Sequence, residues 1–330
     1  MKIAFFSAKP YDKTFFDKYN QSYKFDLQYY ETHLGPHIVN AVENVDAVCV
    51  FVNDKLTAEV IKVLADKGVK MIALRCAGFN NVDIEAAKKY GIRVCRVPAY
   101  SPEAVAEHTM AMLLTINRKT HKAYNRVREQ NFSLDGLLGY NLHGKTVGVI
   151  GTGKIGKAFI NILHGFGCKV LAYDLYPDKS NEKIEYVSLT DLLAHSDIIS
   201  LHCPLTKDNH HLINQETLAM MKTGVTIINT SRGGLISTVD IIGALKTRKV
   251  GALCIDVYEQ EEKLFFKDLS ANIIDDDNIQ RLMSFPNVLV TAHQAFFTEE
   301  ALSEIAQVTL ESIDLISKNQ MSEDSTVMLA

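Results

Sequence analysis

Thr146-Val-Gly-Val-Ile-Gly-Thr-Gly-Lys-Ile-Gly156 passes from a short apolar run into a helical pattern, and Asp174 closes the next apolar run, Lys169-Val-Leu-Ala-Tyr173. Gly151, Gly153 and Gly156 form a G-x-G-x-x-G at a strand-to-helix junction. The first glycine permits the tight turn, the second lets the backbone approach a pyrophosphate, and the third lets helix and strand pack closely. Backbone amide donors and the positive end of the helix then face the phosphates. A carboxylate at Asp174 suits both ribose hydroxyls and repels a 2′-phosphate, and Leu175-Tyr176-Pro177 behind it offers no arginine. The cofactor expected is NAD, not NADP.

Working outward, strands are expected at Thr146–Ile150, Lys169–Tyr173, Glu185–Val187, Asp197–His202, Val225–Asn229, Gly251–Val257 and Val288–Thr291. Helices fall between them at Lys154–Phe166, Asn214–Met221 and Ser237–Thr247. Before this series lies another, with strands at Lys2–Ser7, Asp26–Glu31, Ala47–Val52, Lys70–Cys76 and Arg93–Val97 and helices at Ala58–Lys67 and Ile84–Tyr90. Most of these runs are too continuously apolar to be half-exposed, which is the pattern of parallel sheets covered on both faces. Ser101-Pro102-Glu103 starts a helix expected to run to about Arg128, and Thr298-Glu299-Glu300 starts another through about Ile316. The reading is α/β: two doubly wound parallel-sheet domains, a Rossmann nucleotide domain (101–297) and a discontinuous, flavodoxin-like substrate domain (1–100 with 298–330), with an interdomain cleft. Met321–Ala330 is expected to be a mobile tail.

The bulk properties exclude several classes. In 330 residues, 47% hydrophobic, 35 basic side chains meet 39 acidic ones for a net charge of −4, with no basic stripe for nucleic acid. No window reaches the roughly 18 apolar residues of a membrane helix. Met1–Ser7 is too short an apolar run for a signal peptide and reads as a strand. The six cysteines, at 49, 76, 95, 168, 203 and 254, lie mostly inside apolar runs without metal-like spacing, as reduced thiols of a cytoplasmic protein do.

Three polar residues follow the last expected strands: Arg232 before Gly233-Gly234, Glu261 beyond Asp256-Val-Tyr-Glu-Gln, and His293 after Val288-Leu-Val-Thr-Ala292. Open α/β sheets bind ligands at these carboxyl ends. The set fits hydride transfer to a 2-oxo acid. Histidine supplies the proton, a carboxylate beside it orients the ring and favours its charged form, and arginine grips the substrate carboxylate. Taken singly, each has a plainer reading: an exposed turn arginine, a solvated loop acid, a structural histidine.

Together, Thr146–Gly156, His202-Cys-Pro204, Asn229-Thr-Ser-Arg-Gly233, Asp256-Val-Tyr-Glu-Gln-Glu261 and His293-Gln-Ala-Phe296 resemble the D-isomer-specific 2-hydroxyacid dehydrogenases, along the whole chain. Leu74-Arg-Cys-Ala-Gly-Phe-Asn-Asn81, Val97-Pro-Ala-Tyr-Ser-Pro-Glu103 and Leu264-Phe-Phe-Lys-Asp268 look most like the bacterial fermentative D-lactate dehydrogenases within that family. The resemblance implies Arg232, Glu261 and His293 as the catalytic trio. It implies cofactor contacts from Gly151, Gly153, Lys154, Ile155, Gly156, Asp174, Cys203, Pro204, Asn209, Thr230, Ser231, Arg232 and Asp256, the last facing the nicotinamide carboxamide or, more plainly, ending its strand. For the substrate it implies Ala77, Gly78, Tyr100 and Arg232, with Phe296 walling the pocket. The implied reaction is reduction of pyruvate to D-lactate with NADH, or of a bulkier acid such as phenylpyruvate or 2-oxoisocaproate; an NAD-sensing corepressor on the same fold is the reading from another class. A homodimer or homotetramer packed through the nucleotide domain and its seam helix is implied as well.

Three features stay outside that scheme. Arg75 reads as a structural pair with an acid. His202 and Cys203 invite a metal reading with His210-His211, but no third ligand is evident, and no metal is expected. The stretch Gln260–Met283 carries Phe265-Phe266, packed against the cleft or against a neighbouring subunit, and Asp275-Asp-Asp-Asn278, which lacks the glycine and terminal glutamate of a calcium loop and reads as a helix cap or solvated acids.

Overall fold

The computed structural model describes residues 1–178, 180, 184–322 and 325–330. Two compact units emerge, Met1–Ser101 with Phe297–Ala330, and Pro102–Phe296.

In the first unit, β1 (Lys2–Phe5), β2 (Asp26–Tyr29), β3 (Ala47–Val50), β4 (Met71–Leu74) and β5 (Arg93–Arg96) form one sheet in the order β2-β1-β3-β4-β5. Every pairing is parallel, and the order is that of flavodoxin-like sheets. Val48, Val50, Ile72 and Leu74 project into a core with Val60, Ile61 and Leu64 of α2 (Ala58–Asp66) and Ala86 and Ala87 of α3 (Ile84–Lys89). The intervening residues face the opposite side, where α11 (Glu299–Ser317) packs on β4, β5 and α1 (Pro10–Asn20). Both faces are therefore covered, and that is why these strands read as unbroken apolar runs.

Helix α1 escapes an apolar-periodicity reading because only Asp12 and Phe16 of its residues are buried. Asp12 is buried to meet Arg75, whose Nε lies 3.3 Å from Asp12 Oδ1, with both side chains at most 6% exposed. Arg75 also donates to the Ser7 carbonyl at 2.8 Å and lies between the rings of Phe5 and Phe51. The expected acid partner of Arg75 is thus Asp12, and the guanidinium is an internal tie of this unit.

The end of the chain departs from expectation. Val327–Ala330 runs along the edge strand β5, with Arg96 N–H donating to Val327 O, Leu329 N–H to Val94 O and Val94 N–H to Ala330 O, at 2.8–2.9 Å. Cys95 and Met328 form an antiparallel bridge, and Leu329 packs on the core. An open strand edge is a row of unpaired donors and acceptors, and this segment supplies their partners instead of forming a mobile tail. Glu323 and Asp324, within the same expected tail, lie outside the described residues.

The second unit holds a seven-stranded parallel sheet of β6 (Thr146–Ile150), β7 (Lys169–Tyr173), β8 (Glu185–Tyr186), β9 (Ile198–Leu201), β10 (Val225–Asn229), β11 (Val250–Ile255) and β12 (Val288–Val290). Its order is β12-β11-β10-β9-β6-β7-β8, the doubly wound dinucleotide topology with one added strand. One face packs Phe159, Ile160 and Leu163 of α6 (Lys154–Gly165) and Met110 and Leu113 of α4 (Pro102–Arg118). The other packs α7 (Leu189–His195), α8 (Gln215–Met220), α9 (Thr238–Lys246) and α10 (Asp277–Ser284).

The helix expected to continue to Arg128 instead breaks at Lys119, which adopts a left-handed φ of 51°, and restarts as α5 (Thr120–Arg128). A returning loop causes the break. Asn117 donates to Tyr140 O at 2.8 Å and accepts from its N–H at 2.9 Å. Gly139 lies so close to the end of α4 that a Cβ there would sit 2.8 Å from Asn117 O.

Candidate active site

The glycine loop is fixed by contacts between backbones. Gly151 has φ +95°, and a Cβ on it would fall 2.5 Å from the Cys203 nitrogen; one on Gly156 would fall 2.0 Å from Gly151 O. Gly153 differs, with nothing within 4 Å of a Cβ position. The first and third glycines lock the turn, while the second leaves an exposed face at the N-terminus of α6, as an approaching pyrophosphate requires. Asp174 Oδ2 accepts from the Thr152 amide at 2.6 Å and its hydroxyl at 3.0 Å, and Oδ1 accepts from the Tyr176 amide at 2.9 Å. The acid expected for the ribose is thus moored to the glycine loop itself, and the Thr152 hydroxyl reaches on to Tyr186. Thr152 and Tyr186 carry no motif of their own, and sequence reading missed them. These residues fit a dinucleotide.

Facing the glycine loop is the turn after β9. Asn209 accepts from Thr206 N–H and donates to Pro204 O, both at 2.7 Å, and Ser231 Oγ donates to Cys203 O at 2.6 Å. Burial pushes the Cys203 thiol up to about 11 and drops the His202 imidazole to about 3. Both are neutral near pH 7, a protonated thiol and an uncharged ring hydrogen-bonded to Ser200. Thr230 is buried, its hydroxyl 2.8 Å from that of Thr109 on α4.

The trio sits on the loops after three adjacent strands. After β10, Asn229 accepts from Ser231 N–H and donates to Arg232 O, which closes the turn carrying the half-buried arginine. Gly233 then meets the next loop: a Cβ there would lie 2.1 Å from the carbonyl carbon of Tyr258. After β11, Glu261 Oε2 accepts from Tyr258 N–H at 3.0 Å, leaving Oε1 2.9 Å from His293 Nδ1. After β12, His293 adopts a left-handed φ of 53°. Phe266 places its ring 5.8 Å from that imidazole, while Phe265 is buried in the core of the unit. Of the paired phenylalanines, one fills the core of the unit and the other lies beside the histidine. The acid run resolves too: Asp276 caps α10 and accepts from Tyr258 OH at both oxygens.

Asp256 ties these loops together. Its amide donates to Asn229 O at 3.0 Å and its carbonyl accepts from His293 N–H at 2.7 Å. Its side chain, fully buried, accepts from the Thr291 hydroxyl and from the Gln294 and Ala295 amides, with His108 Nε2 at 3.5 Å. Burial alone would push this carboxyl up; the donors from His108, Thr291, Gln294 and Ala295 outweigh it and hold the group below the usual carboxylate range. The carboxylate expected to face the nicotinamide also accepts hydrogen bonds inside the protein, and these hold the start of the loop that carries His293. Phe296, expected in the pocket wall, is buried at the end of the same loop.

In the first unit, Ala77 and Gly78 follow β4 and are half-buried. Their carbonyls accept from Arg96 at 3.0 Å and from the Cys76 thiol at 3.3 Å. Tyr100 is also half-buried.

An imidazole backed by a carboxylate lies at the carboxyl end of the same parallel sheet that carries the glycine loop, a combination that suits nicotinamide-dependent hydride transfer. Comparison with known proteins gives the same answer. The sequence pattern of the D-isomer specific 2-hydroxyacid dehydrogenase NAD-binding domain matches residues 110–295. The chain belongs to this family. It is an NAD-dependent oxidoreductase. It is 54% identical to 2-hydroxyacid dehydrogenase homolog 1 of Schizosaccharomyces pombe, over 97% of each chain. It is 50% identical to the D-lactate dehydrogenase of Escherichia coli, over 99% of this chain and 100% of that one. The apo structure of the E. coli enzyme superposes with a TM-score of 0.90 at 48% identity, covering 99% and 100% of the two chains. The D-lactate dehydrogenase of Aquifex aeolicus, solved with NAD and lactic acid, gives 0.87 at 36% identity, covering 99% and 98%.

Asp256→Asn places an amide NH₂ against N–H donors. It is expected to cost about 1–3 kcal/mol at neutral pH through unmet hydrogen bonds. Because the folded-state carboxyl is held below its unfolded value, the stabilisation is full above about pH 4 and lost as pH falls through the lower folded value. Thermal melts of wild type and variant from pH 3 to 8 should therefore show a gap that closes only at the acid end; identical melts at neutral pH would remove Asp256 from this role.

Proposed function

We propose that this chain is a D-lactate dehydrogenase that reduces pyruvate with NADH, with Pro102–Phe296 as the cofactor-binding unit and the remainder as the substrate unit. The observation that carries the mechanism is the 2.9 Å contact between His293 Nδ1 and Glu261 Oε1. Glu261 accepts a hydrogen bond from Nδ1–H and so presents Nε2 as the acid. When bound, the nicotinamide supplies a hydride to the carbonyl carbon. His293 delivers the proton to the carbonyl oxygen as charge builds there, giving the hydroxyl, and takes it back in the reverse direction. The Arg232 fork holds the substrate carboxylate by paired charge-assisted bonds. Ala77, Gly78 and Tyr100 complete carboxylate binding, and Phe296 limits the space for the substrate tail. Gly153, Lys154, Ile155, Asp174, Pro204, Asn209, Thr230 and Ser231 hold the dinucleotide. The similarity to the E. coli and A. aeolicus D-lactate dehydrogenases supports pyruvate over bulkier acids and enzymatic turnover over a corepressor role.

His293→Gln keeps a polar side chain but removes the acid. Turnover is expected to fall by about 10²- to 10⁴-fold, with NADH affinity little changed by fluorescence titration. Turnover within a few-fold of wild type would exclude His293 as the acid.

The working form we propose is a homo-oligomer in the cytoplasm. All six cysteines are unpaired thiols, as a reducing compartment allows, and no helix among the described residues is long and apolar enough to cross a membrane. Helix α5 buries no residue in its own unit, yet Tyr124, Val127, Phe132, Leu134 and Leu138, on α5 and the loop after it, are all exposed. An apolar surface of this kind marks an interaction site, here for a second copy. Light scattering should give a multiple of the chain mass, reduced to one chain by Phe132→Asp with Leu138→Asp. A monomeric wild type would contradict the assignment.

A further inference from the structure

Away from the His293–Glu261 pair, the second unit brings together three side chains whose chemistry the hydride transfer does not use. His210 and His211 follow one another after β9, and Glu259 lies 48 residues further on, after β11. Adjacent residues of an extended chain point apart. Here His211 has a left-handed φ of 55°, and the two rings lie on the same side, 3.8 Å between centroids and 32° between planes. His211 Nε2 is 2.6 Å from Glu259 Oε1. One ligand atom from each of the three residues lies within 4.8 Å of the other two.

We propose that His210, His211 and Glu259 form a Zn²⁺ site. The donor set, two imidazoles and one carboxylate with a position left for water, is the type that zinc accepts. Mg²⁺ and Ca²⁺ prefer shells of oxygen. The supporting contacts resemble those that aim ligands in metal sites. Glu259 Oε2 is occupied by the Thr238 hydroxyl at 2.7 Å and the Thr238 amide at 3.3 Å, so Oε1 is the oxygen turned toward the histidines. The His211 backbone is held by its N–H donating to Gly234 O at 2.8 Å. His211 and Glu259 side chains keep 35% and 25% of their exposure, so an ion can reach them from solvent. Sequence spacing found no third ligand for His210-His211; the parallel sheet supplies it by placing the loops after β9 and β11 on the same edge.

Untagged, full-length protein titrated with Co²⁺ should bind a single ion with the visible absorption of four- or five-coordinate cobalt, and Zn²⁺ should displace it. His210→Ala and Glu259→Gln should each weaken Zn²⁺ binding by about 10- to 100-fold, with thermal melts establishing that each variant is folded. His210 is exposed, so its variant decides the matter even if Glu259→Gln, which also loosens Thr238, does not fold. Absence of cobalt binding, a sulfur-to-cobalt charge-transfer band, or unchanged Zn²⁺ affinity in His210→Ala would each overturn the proposal.

Discussion

A single buried carboxylate, Asp256, holds together the loops that carry Arg232 and His293. Asp256 lies at the end of β11, between the strand that leads to Arg232 and the strand that leads to His293, and it bonds to both loops through its backbone. Its side chain gathers the first residues after β12, so that His293 keeps a left-handed backbone. A non-glycine residue in that region costs of order 1–3 kcal/mol and persists only where its surroundings over-determine it. The amides of residues 293, 294 and 295, all donating to Asp256, do so here. A charged acceptor serves better than a neutral one because each bond is charge-assisted, and a buried carboxylate is tolerable only while those bonds are made.

The second constraint is the closeness of backbones. Gly151 rests on the amide of Cys203, Gly156 on the carbonyl of Gly151, and Gly233 on the carbonyl carbon of Tyr258, each at a distance that excludes even a methyl group. These contacts link the glycine loop to the turn after β9, and the arginine turn to the loop that carries Glu261. The site is a set of short loops locked edge to edge at the carboxyl ends of parallel strands, and its precision comes from the sheet beneath them.

Much of this was legible in the sequence, for a physical reason. Strands covered on both faces must be apolar throughout, so both parallel sheets showed as runs such as Ala47–Val50 and Val225–Asn229. The glycine fingerprint and the strand-end positions of Arg232, Glu261 and His293 followed from the same logic. What was not legible depends on partners distant in the chain. Asp256 reads as a strand-end acid, and only the structure shows that Gln294 and Ala295, 38 and 39 residues on, donate to it. Lys119 gives no sign of a helix break, because the cause is Asn117 gripping Tyr140. Helix α1 turns a carboxylate inward for Arg75, 63 residues away, and the last residues find a strand edge that no periodicity announces.

The most direct test of the account is NADH oxidation by the purified protein with pyruvate, phenylpyruvate and 2-oxoisocaproate in parallel, followed by chiral analysis of the product. The account predicts the highest kcat/KM for pyruvate and D-lactate as the product. Preference for a bulky acid, an L product, or no turnover despite NADH binding would contradict it.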